Sequence, residues 1–175
     1  MTLAVQFHPT KYSWVADLEF AEHSSIPVAG QMAENAMTGR HCRTALIVRS
    51  IESEPLFETL ERVFEELNLA YGFEIDGIRE PLQLITYDVG DYIGWHIDGG
   101  MEGVHSRKIS LSLQLSDGIE YSGGNLDFPD GTCHPFCRAK GAVIAFPAFI
   151  THSVSKVSRG RRQALVAWSH GRQFV

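Results

Sequence analysis

Apolar and polar positions follow two different periods along this chain, and the change comes near Tyr71. Before that point, residues 54–68 place apolar side chains three and four positions apart, which predicts an amphipathic helix. The predicted apolar face consists of Leu56, Phe57, Leu60, Val63, Phe64 and Leu67. Ser53 fits the N-cap and Pro55 fits the first turn. Glutamates fill the opposite face, which is typical of a surface that contacts solvent rather than a partner protein.

After Tyr71, short segments alternate between apolar and polar residues and are separated by Gly, Asp, Asn and Pro. This texture predicts strands and turns. The predicted strands lie near residues 82–87, 92–96, 108–116, 124–128, 142–146, 151–157 and 162–169. Alternation is strict over residues 109–116, so that strand has one apolar and one polar face. The last two strands are expected to form a hairpin that turns at Arg159-Gly160.

Short strands that follow helical segments favour a mainly β fold of the α+β class. The expected arrangement is a small antiparallel double sheet, or jelly roll, with N-terminal helices packed on one sheet. The first 50 residues give a weaker pattern, from which a strand at 45–48 and a short helix near 29–37 are predicted. The length of 175 residues favours a single domain, with residues 1–80 as a helical and strand support region.

The composition narrows the choice of partner and compartment. A net charge of −6 makes the surface a poor match for nucleic acid or an anionic membrane, so neither is expected as a partner. Three cysteines are an odd and sparse set, which indicates free thiols in a reducing compartment. No charged segment followed by an apolar run opens the chain, and no apolar stretch reaches the length of a membrane span. The expected location is therefore cytoplasmic.

The candidate chemistry centres on His96 and Asp98. These residues lie two positions apart at the end of a predicted strand, which places both side chains on one face. His152 follows another apolar strand and supplies a second imidazole. Two histidines and one carboxylate form the facial triad that binds Fe(II) and leaves coordination positions open. The His-x-Asp spacing alone arises by chance in a chain with eight histidines, and the alternative is a polar cluster at the mouth of a barrel.

Arg162 is the candidate anchor for an acidic cosubstrate. It begins a predicted strand, and by period two it shares one face with Ala164, Val166 and Trp168. A guanidinium among apolar side chains requires an anionic partner, and a carboxylate binds it through two hydrogen bonds. The alternatives are that Arg162 pairs with a carboxylate of the protein or reaches solvent. Arg161 or Arg159 would then take its place as the anchor.

Cys133 and Cys137 flank His134 and raise the question of a zinc site. A structural zinc normally needs four ligands at recognisable spacing, and this segment supplies fewer. An ordinary loop with free thiols is the favoured interpretation.

The ordered motifs of the chain are similar to those of one known family. In order they are Tyr87-x-x-Gly90, His96-x-Asp98, Arg107-Lys108-Ile109-Ser110-Leu111, Ser122-Gly123-Gly124-Asn125-Leu126, Lys140-Gly141-Ala142-Val143-Ile144-Ala145-Phe146-Pro147, His152, Arg159-Gly160 and Arg162. They resemble the Fe(II)/2-oxoglutarate-dependent dioxygenase superfamily, and most closely its prolyl 4-hydroxylase-like branch. The resemblance covers about residues 82–169, roughly half of the chain.

The resemblance implies a double-stranded β-helix as the catalytic core over residues 82–169. It implies Fe(II) held by His96, Asp98 and His152, with no catalytic residue beyond this metal centre. It also implies 2-oxoglutarate as cosubstrate, with its distal carboxylate on Arg162. Further residues match the family's cosubstrate pocket, namely Tyr87 and Gln114. The candidates for the substrate site are Trp168, Arg107 and Tyr92.

The reaction implied by the resemblance is hydroxylation of a C–H bond by O₂, with succinate and CO₂ released. Because Asp98 is present, hydroxylation is favoured over halogenation. The arginines after His152 do not match those of the DNA-repair members. The expected substrate is a prolyl or other residue of a peptide or protein, and the alternative is a free amino acid or small metabolite. A non-catalytic metal-binding barrel is the alternative from another class.

Overall fold

The computed structural model of the chain describes residues 3–6, 39–99, 105–131 and 135–173. Within these ranges, ten strands form two antiparallel sheets, and one α-helix precedes most of them. The elements are β1 (Leu3–Gln6), β2 (Arg40–His41), β3 (Arg43–Ile47), α1 (Glu54–Asn68), β4 (Leu82–Tyr87), β5 (Tyr92–His96), β6 (Arg107–Gln114), β7 (Leu126–Asp127), β8 (Ala142–Pro147), β9 (His152–Val154) and β10 (Arg162–His170). A 3₁₀ turn spans Pro135–Arg138.

The strands divide between a large sheet and a small sheet. The large sheet has the order β1-β8-β6-β10-β4-β3, and the small sheet has the order β2-β5-β9-β7. All of the strands predicted after residue 71 are confirmed, with small differences at their ends. The predicted helix near 29–37 lies outside the described residues.

The predicted hairpin between the last two strands is wrong. β9 pairs with β5 and β7 in the small sheet, whereas β10 pairs with β4 and β6 in the large one. The turn at Arg159-Gly160 therefore carries the chain from one sheet to the other. Gly160 has a φ of +72°, and a Cβ there would lie 2.1 Å from the Glu120 carbonyl oxygen, so this crossing requires glycine.

Helix α1 packs its apolar face on the large sheet, as the periodicity predicts. Its buried residues Leu56, Phe57, Leu60, Phe64 and Leu67 join one hydrophobic cluster with side chains from five strands of that sheet. Ser53 is the N-cap residue, as predicted, but its side chain makes no capping hydrogen bond. The Ser53 hydroxyl instead donates to the Val48 carbonyl oxygen at 2.8 Å and so secures the loop before the helix.

The other face of the large sheet points toward the small sheet and lines a pocket. On β6 the apolar positions Ile109, Leu111 and Leu113 belong to the cluster beneath α1. The polar positions between them, Ser110 and Ser112, line the pocket instead of facing solvent. A strictly alternating strand is therefore buried on both faces, and its polar face belongs to a site.

The fold class predicted from the sequence is confirmed in its coarser form. The described residues are mainly β, with two antiparallel sheets and one helix packed on the larger sheet. N-terminal helices in the plural are not observed there, since α1 is the single α-helix of the described ranges. The more specific assignment as a jelly roll stays a prediction. No helix of the described ranges combines the length and apolar character needed to span a membrane.

The packing of α1 predicts an unequal effect of two leucine substitutions. Leu60 is fully buried and Leu69, just after the helix, is 89% exposed. Leu60→Ala is expected to lower the free energy of unfolding by about 2–5 kcal/mol, because it removes buried methyl groups and leaves a cavity. Leu69→Ala is expected to change it by less than about 0.5 kcal/mol. Urea denaturation followed by circular dichroism measures both, and equal losses would contradict the packing described here.

Candidate metal centre

The pairing of β5 with β9 brings the two candidate histidines together. β5 ends at His96 and β9 begins at His152, and the two residues are direct partners in the antiparallel register. Asp98 follows two residues later, where the chain has left the strand. Its backbone N–H and that of Gly99 both donate to the Ala148 carbonyl oxygen at 2.9 Å. These two bonds hold the carboxylate against the pair of imidazoles.

The three side chains converge on one point. The Nε2 atoms of His96 and His152 each lie 3.5 Å from a different oxygen of Asp98. One ligand atom from each of the three residues lies within 4.8 Å of the others. In the described part of the chain, this is the one group of three His, Cys, Asp or Glu residues so arranged.

The opposite ring nitrogens fix the orientation of both imidazoles. His96 Nδ1 lies 2.8 Å from the Gly94 carbonyl oxygen, and His152 Nδ1 lies 2.9 Å from that of Ile150. Because a carbonyl oxygen only accepts, each Nδ1 donates, and each Nε2 is left facing Asp98. The Ser110 hydroxyl donates to Asp98 Oδ2 at 2.7 Å and orients the carboxylate in the same way.

The local charges favour an ionised Asp98 and a neutral His152. Burial by itself raises the pKa of Asp98, but the nearby His152 and His96, with the Ser110 hydroxyl, outweigh it and lower the pKa well below its usual range. Burial lowers the pKa of His152. Burial also opposes protonation of His96, although the hydrogen bond and charge of Asp98 outweigh it and raise the pKa. An anionic oxygen and two imidazole nitrogens in this arrangement suit Fe(II).

A pocket extends from this triad between the two sheets toward Arg162. It encloses about 520 Å³ of space, which includes the part open to solvent. The β10 residues predicted to share one face with Arg162 all line it, namely Ala164, Val166 and Trp168. The prediction of that face is therefore confirmed.

Arg162 lies in the pocket as a buried and incompletely satisfied cation. Its side chain is 2% exposed, its Nη1 has no hydrogen-bond partner among the described residues, and its Cζ lies 5.0 Å from the centre of the Tyr87 ring. Gly124 makes room for this side chain, since a Cβ there would lie 3.1 Å from Arg162 Cδ. A buried guanidinium with a free donor is a site for an anion.

The alternative anchors lie outside the pocket. Arg161 is on the surface, where its Nε donates to Asp88 at 2.6 Å. Arg159 is exposed and donates to the Ser122 hydroxyl and the Ile119 carbonyl oxygen. Neither guanidinium is among the groups that line the pocket.

Tyr87 lines the pocket beside Arg162, whereas Gln114 is not among the pocket residues. Tyr87 is the direct partner of Arg162 in the pairing of β4 with β10. Burial raises the pKa of Tyr87 to about 12, against the charge of Arg162, so the phenol remains a neutral donor. Gln114 lies opposite Ala164 in the pairing of β6 with β10, and its Nε2 donates to the Tyr121 hydroxyl at 2.8 Å. Gln114 Oε1 is buried without a partner among the described residues.

The three substrate candidates lie in different surroundings. Trp168 lines the pocket, and its indole Nε1 has no hydrogen-bond partner among the described residues. Arg107 lies over its ring, with Cζ 3.8 Å from the ring centre. Tyr92 is not among the pocket residues, because the strand irregularity between Ile93 and His96 directs Ile93 inward instead. The Lys156 ammonium lies 5.6 Å from the Tyr92 ring.

The hydrogen-bond donors of Arg107 all bond to other residues of the protein. Its Nε and Nη2 donate to the two oxygens of Glu80 at 2.7 and 2.5 Å, and its Nη1 donates to the Asp98 carbonyl oxygen at 3.1 Å. His170 Nε2 lies 2.9 Å from Glu80 Oε1. This network fixes both Asp98 and the Trp168 ring, so Arg107 is placed to support the centre rather than to reach into the pocket.

Glu80 gives this network a defined pH dependence. Burial tends to raise its pKa, but His170 and Arg107 outweigh burial and lower it below the ordinary value of 4.5. Ionised Glu80 therefore stabilises the fold above pH 4.5, and this contribution is lost as the pH falls through the lower folded-state pKa.

Glu80→Gln is expected to lower the free energy of unfolding at pH 7 by about 1–3 kcal/mol, because it weakens charge-assisted hydrogen bonds. The difference from the wild type should shrink as the pH falls below 4.5, the ordinary pKa, and Glu80 becomes protonated. Urea denaturation at a series of pH values measures this, with the exposed Glu58→Gln as control. A difference that stayed constant with pH would contradict the role of the ionised carboxylate.

Several residues of the site carry no signal that sequence reasoning detected. Arg40 lines the pocket from β2, a strand of two residues that is too short to show a period. Tyr121 contacts the site from a loop through Gln114. Ser110 could have been found, since the polar face of 109–116 was predicted and needed only to be assigned to a pocket.

The cysteines give no support for a zinc site among the described residues. Among the described residues, neither Cys42 nor Cys137 belongs to a group with metal-ligand spacing. Cys133 and His134 lie outside the described residues.

Comparisons with known proteins agree with the geometry. The sequence profile of the 2OG-Fe(II) oxygenase superfamily matches residues 82–170. A PKHD-type hydroxylase of Synechococcus sp. strain CC9902 is 36% identical over 157 residues, which are 86% of this chain and 68% of that protein. A PKHD-type hydroxylase of Cupriavidus metallidurans is 28% identical over 165 residues, which are 89% of this chain and 66% of that protein. The chain thus spans about two thirds of the length of these relatives.

Solved structures show the same fold at low sequence identity. A prolyl-4-hydroxylase of Pseudomonas putida has a TM-score of 0.69 at 18% identity, over 98% of this chain and 92% of that one. The viral collagen prolyl hydroxylase of Paramecium Bursaria Chlorella virus-1, solved with 2-oxoglutarate, has a TM-score of 0.68 at 16% identity, over 98% and 96%. The sequence matches and the His-Asp-His centre together show that the chain belongs to the 2OG-Fe(II) oxygenase superfamily, whose dioxygenases use Fe(II), 2-oxoglutarate and O₂.

Proposed function

We propose that this chain is a hydroxylase that uses O₂ to oxidise a C–H bond and releases succinate and CO₂. The observation that carries the proposal is Arg162, whose buried Nη1 lacks a partner among the described residues in the pocket that also holds His96, Asp98 and His152. A non-catalytic metal-binding barrel would have no use for a buried and unsatisfied cation beside its metal site.

Different residues of the pocket would bind Fe(II) and 2-oxoglutarate. His96, Asp98 and His152 would hold Fe(II), and Arg162 with the Tyr87 phenol would hold the distal carboxylate of 2-oxoglutarate. Together, the bound metal and cosubstrate supply the oxidative chemistry. Ser110 and Arg107 keep Asp98 oriented, and the buried apolar walls at Ile85, Leu126 and Val154 exclude water.

A prolyl or other residue of a peptide or protein is the proposed substrate, with a free amino acid or small metabolite as the alternative. The likeness to a Trichoplax adhaerens prolyl hydroxylase solved with a hypoxia inducible factor peptide, with a TM-score of 0.58 at 16% identity, supports the peptide. Trp168 is the proposed substrate contact, because its ring lies in the pocket close to the metal-binding end.

Anaerobic addition of Fe(II) and 2-oxoglutarate tests the proposal. A weak visible charge-transfer band is expected with the wild type, because the cosubstrate binds the metal directly. Asp98→Ala is expected to abolish the band, since the remaining two imidazoles bind Fe(II) weakly. Ser153→Ala, a buried change on the strand that carries His152, serves as the control and is expected to keep it. A wild type that binds Fe(II) but never 2-oxoglutarate would refute the proposal.

Arg162 and Arg161 form a matched pair of variants. Arg162→Gln is expected to weaken 2-oxoglutarate binding by roughly ten- to hundredfold while Fe(II) binding stays nearly unchanged, because it removes a charge-assisted hydrogen bond. Arg161→Gln, one residue away on the surface, is expected to change neither. Titration of the charge-transfer band measures both. An equal loss in the two variants would contradict the assignment of Arg162.

A further inference from the structure

Arg40 is a second arginine in the pocket. It lies on β2 opposite Ile93 of β5, and it lines the pocket together with Gln83 and His96. It therefore enters from the small sheet, while Arg162 enters from the large one. Its charge acts on both His96 and Tyr87.

The contacts of Arg40 are with neutral acceptors. Its Nη2 lies 2.7 Å from Thr44 Oγ1 and 3.5 Å from Gln83 Oε1, and its Nε lies 3.1 Å from Cys42 Sγ. Among the described residues, no carboxylate lies within ion-pair distance of the guanidinium. The side chain is thus oriented by its neighbours without being neutralised by them.

Three other arginines near the two sheets form ion pairs within the protein. Arg43 and Arg161 both pair with Asp88, and Arg107 pairs with Glu80. Arg40 and Arg162, which both line the pocket, have no such pair among the described residues. A half-buried guanidinium is poorly screened by solvent and favours an anionic partner.

When Fe(II) and 2-oxoglutarate are bound, the charges in the pocket leave the positive charge of Arg40 uncompensated. This count of charges rests on the proposed function. Asp98 is the one carboxylate among the described lining residues. The two positive charges of Fe(II) are matched by the two negative charges of 2-oxoglutarate. Asp98 then offsets one of the two arginines, and one positive charge remains. The protein as a whole carries −6, so this local excess is a property of the pocket.

We propose that Arg40 binds a carboxylate of the primary substrate, and that the enzyme selects substrates with a carboxylate close to the carbon it oxidises. The cosubstrate would not supply this group, because under the proposed function one of its carboxylates would bind Arg162 and the other would be held with its oxo group at the metal. Two kinds of substrate could supply this carboxylate. One is a free amino acid, through its α-carboxylate, and the other is a peptide with an aspartate or glutamate next to the target residue.

Binding to the anaerobic Fe(II)–2-oxoglutarate complex tests the proposal without turnover. The probes are the free amino acids with their α-amides, and end-blocked tripeptides with Asp or Glu beside a variable residue, matched to Asn or Gln. Calorimetry and the shift of the charge-transfer band report binding. The wild type is expected to bind carboxylate probes at least tenfold more tightly than the matched amides, and the amino-acid and peptide arms identify the source.

Variants of Arg40 test whether this residue causes the preference for carboxylate probes over amide probes. Arg40→Gln is expected to weaken the carboxylate probes by roughly ten- to hundredfold and to leave amide probes and 2-oxoglutarate within about threefold, because one charge-assisted contact is lost. Arg40→Lys keeps the charge without the paired donors and is expected to retain part of the preference. Arg43→Gln, whose partner is Asp88, is the matched control and is expected to bind like the wild type.

The outcomes separate this inference from the proposed function. If 2-oxoglutarate binds but the wild type prefers amides, shows no preference or binds no probe at millimolar concentration, the inference about Arg40 fails alone. A loss of 2-oxoglutarate affinity in Arg40→Gln with unchanged probe binding would assign Arg40 to the cosubstrate and also overturn it. Absence of any 2-oxoglutarate binding by the wild type would refute the proposed function itself.

Discussion

The register between β5 and β9 is the constraint on which the rest of the site depends. It places His96 directly opposite His152, and the Ala148 carbonyl oxygen then holds the backbone of Asp98 and Gly99 beside them. A shift of one residue in this pairing would turn one imidazole to the other face of the sheet. The three ligand atoms meet because backbone hydrogen bonds fix their positions before any metal binds.

The large sheet supplies the second requirement, which is a set of polar side chains buried between the two sheets. Its β4, β6 and β10 strands direct one face to the core beneath α1 and the other to the pocket, so that two serines and an arginine are buried beside apolar walls. Burying Arg162 without a carboxylate partner among the described residues costs stability in the free protein. The proposed binding of an acidic cosubstrate by Arg162 would offset this cost.

Much of this arrangement could be predicted from the sequence, because strand periodicity is a local signal. The face of β10 that carries Arg162 and Trp168 follows from period two, and the helix over 54–68 follows from its apolar spacing. Pairing between distant strands is not local. For that reason the sequence suggested a hairpin at Arg159-Gly160, where the chain in fact crosses between the sheets. It gave no signal for Arg40. It also placed Tyr92 among the substrate candidates, although a strand irregularity turns Ile93 inward instead.

The most direct test of the central claim is a crystal structure of the protein grown without oxygen in the presence of Fe(II) and 2-oxoglutarate. We expect anomalous iron scattering at one position bound by His96 Nε2, His152 Nε2 and an oxygen of Asp98. We also expect the distal carboxylate of 2-oxoglutarate within hydrogen-bond distance of Arg162 Nη1. Iron bound elsewhere, or a cosubstrate whose distal carboxylate lies away from Arg162, would contradict the account.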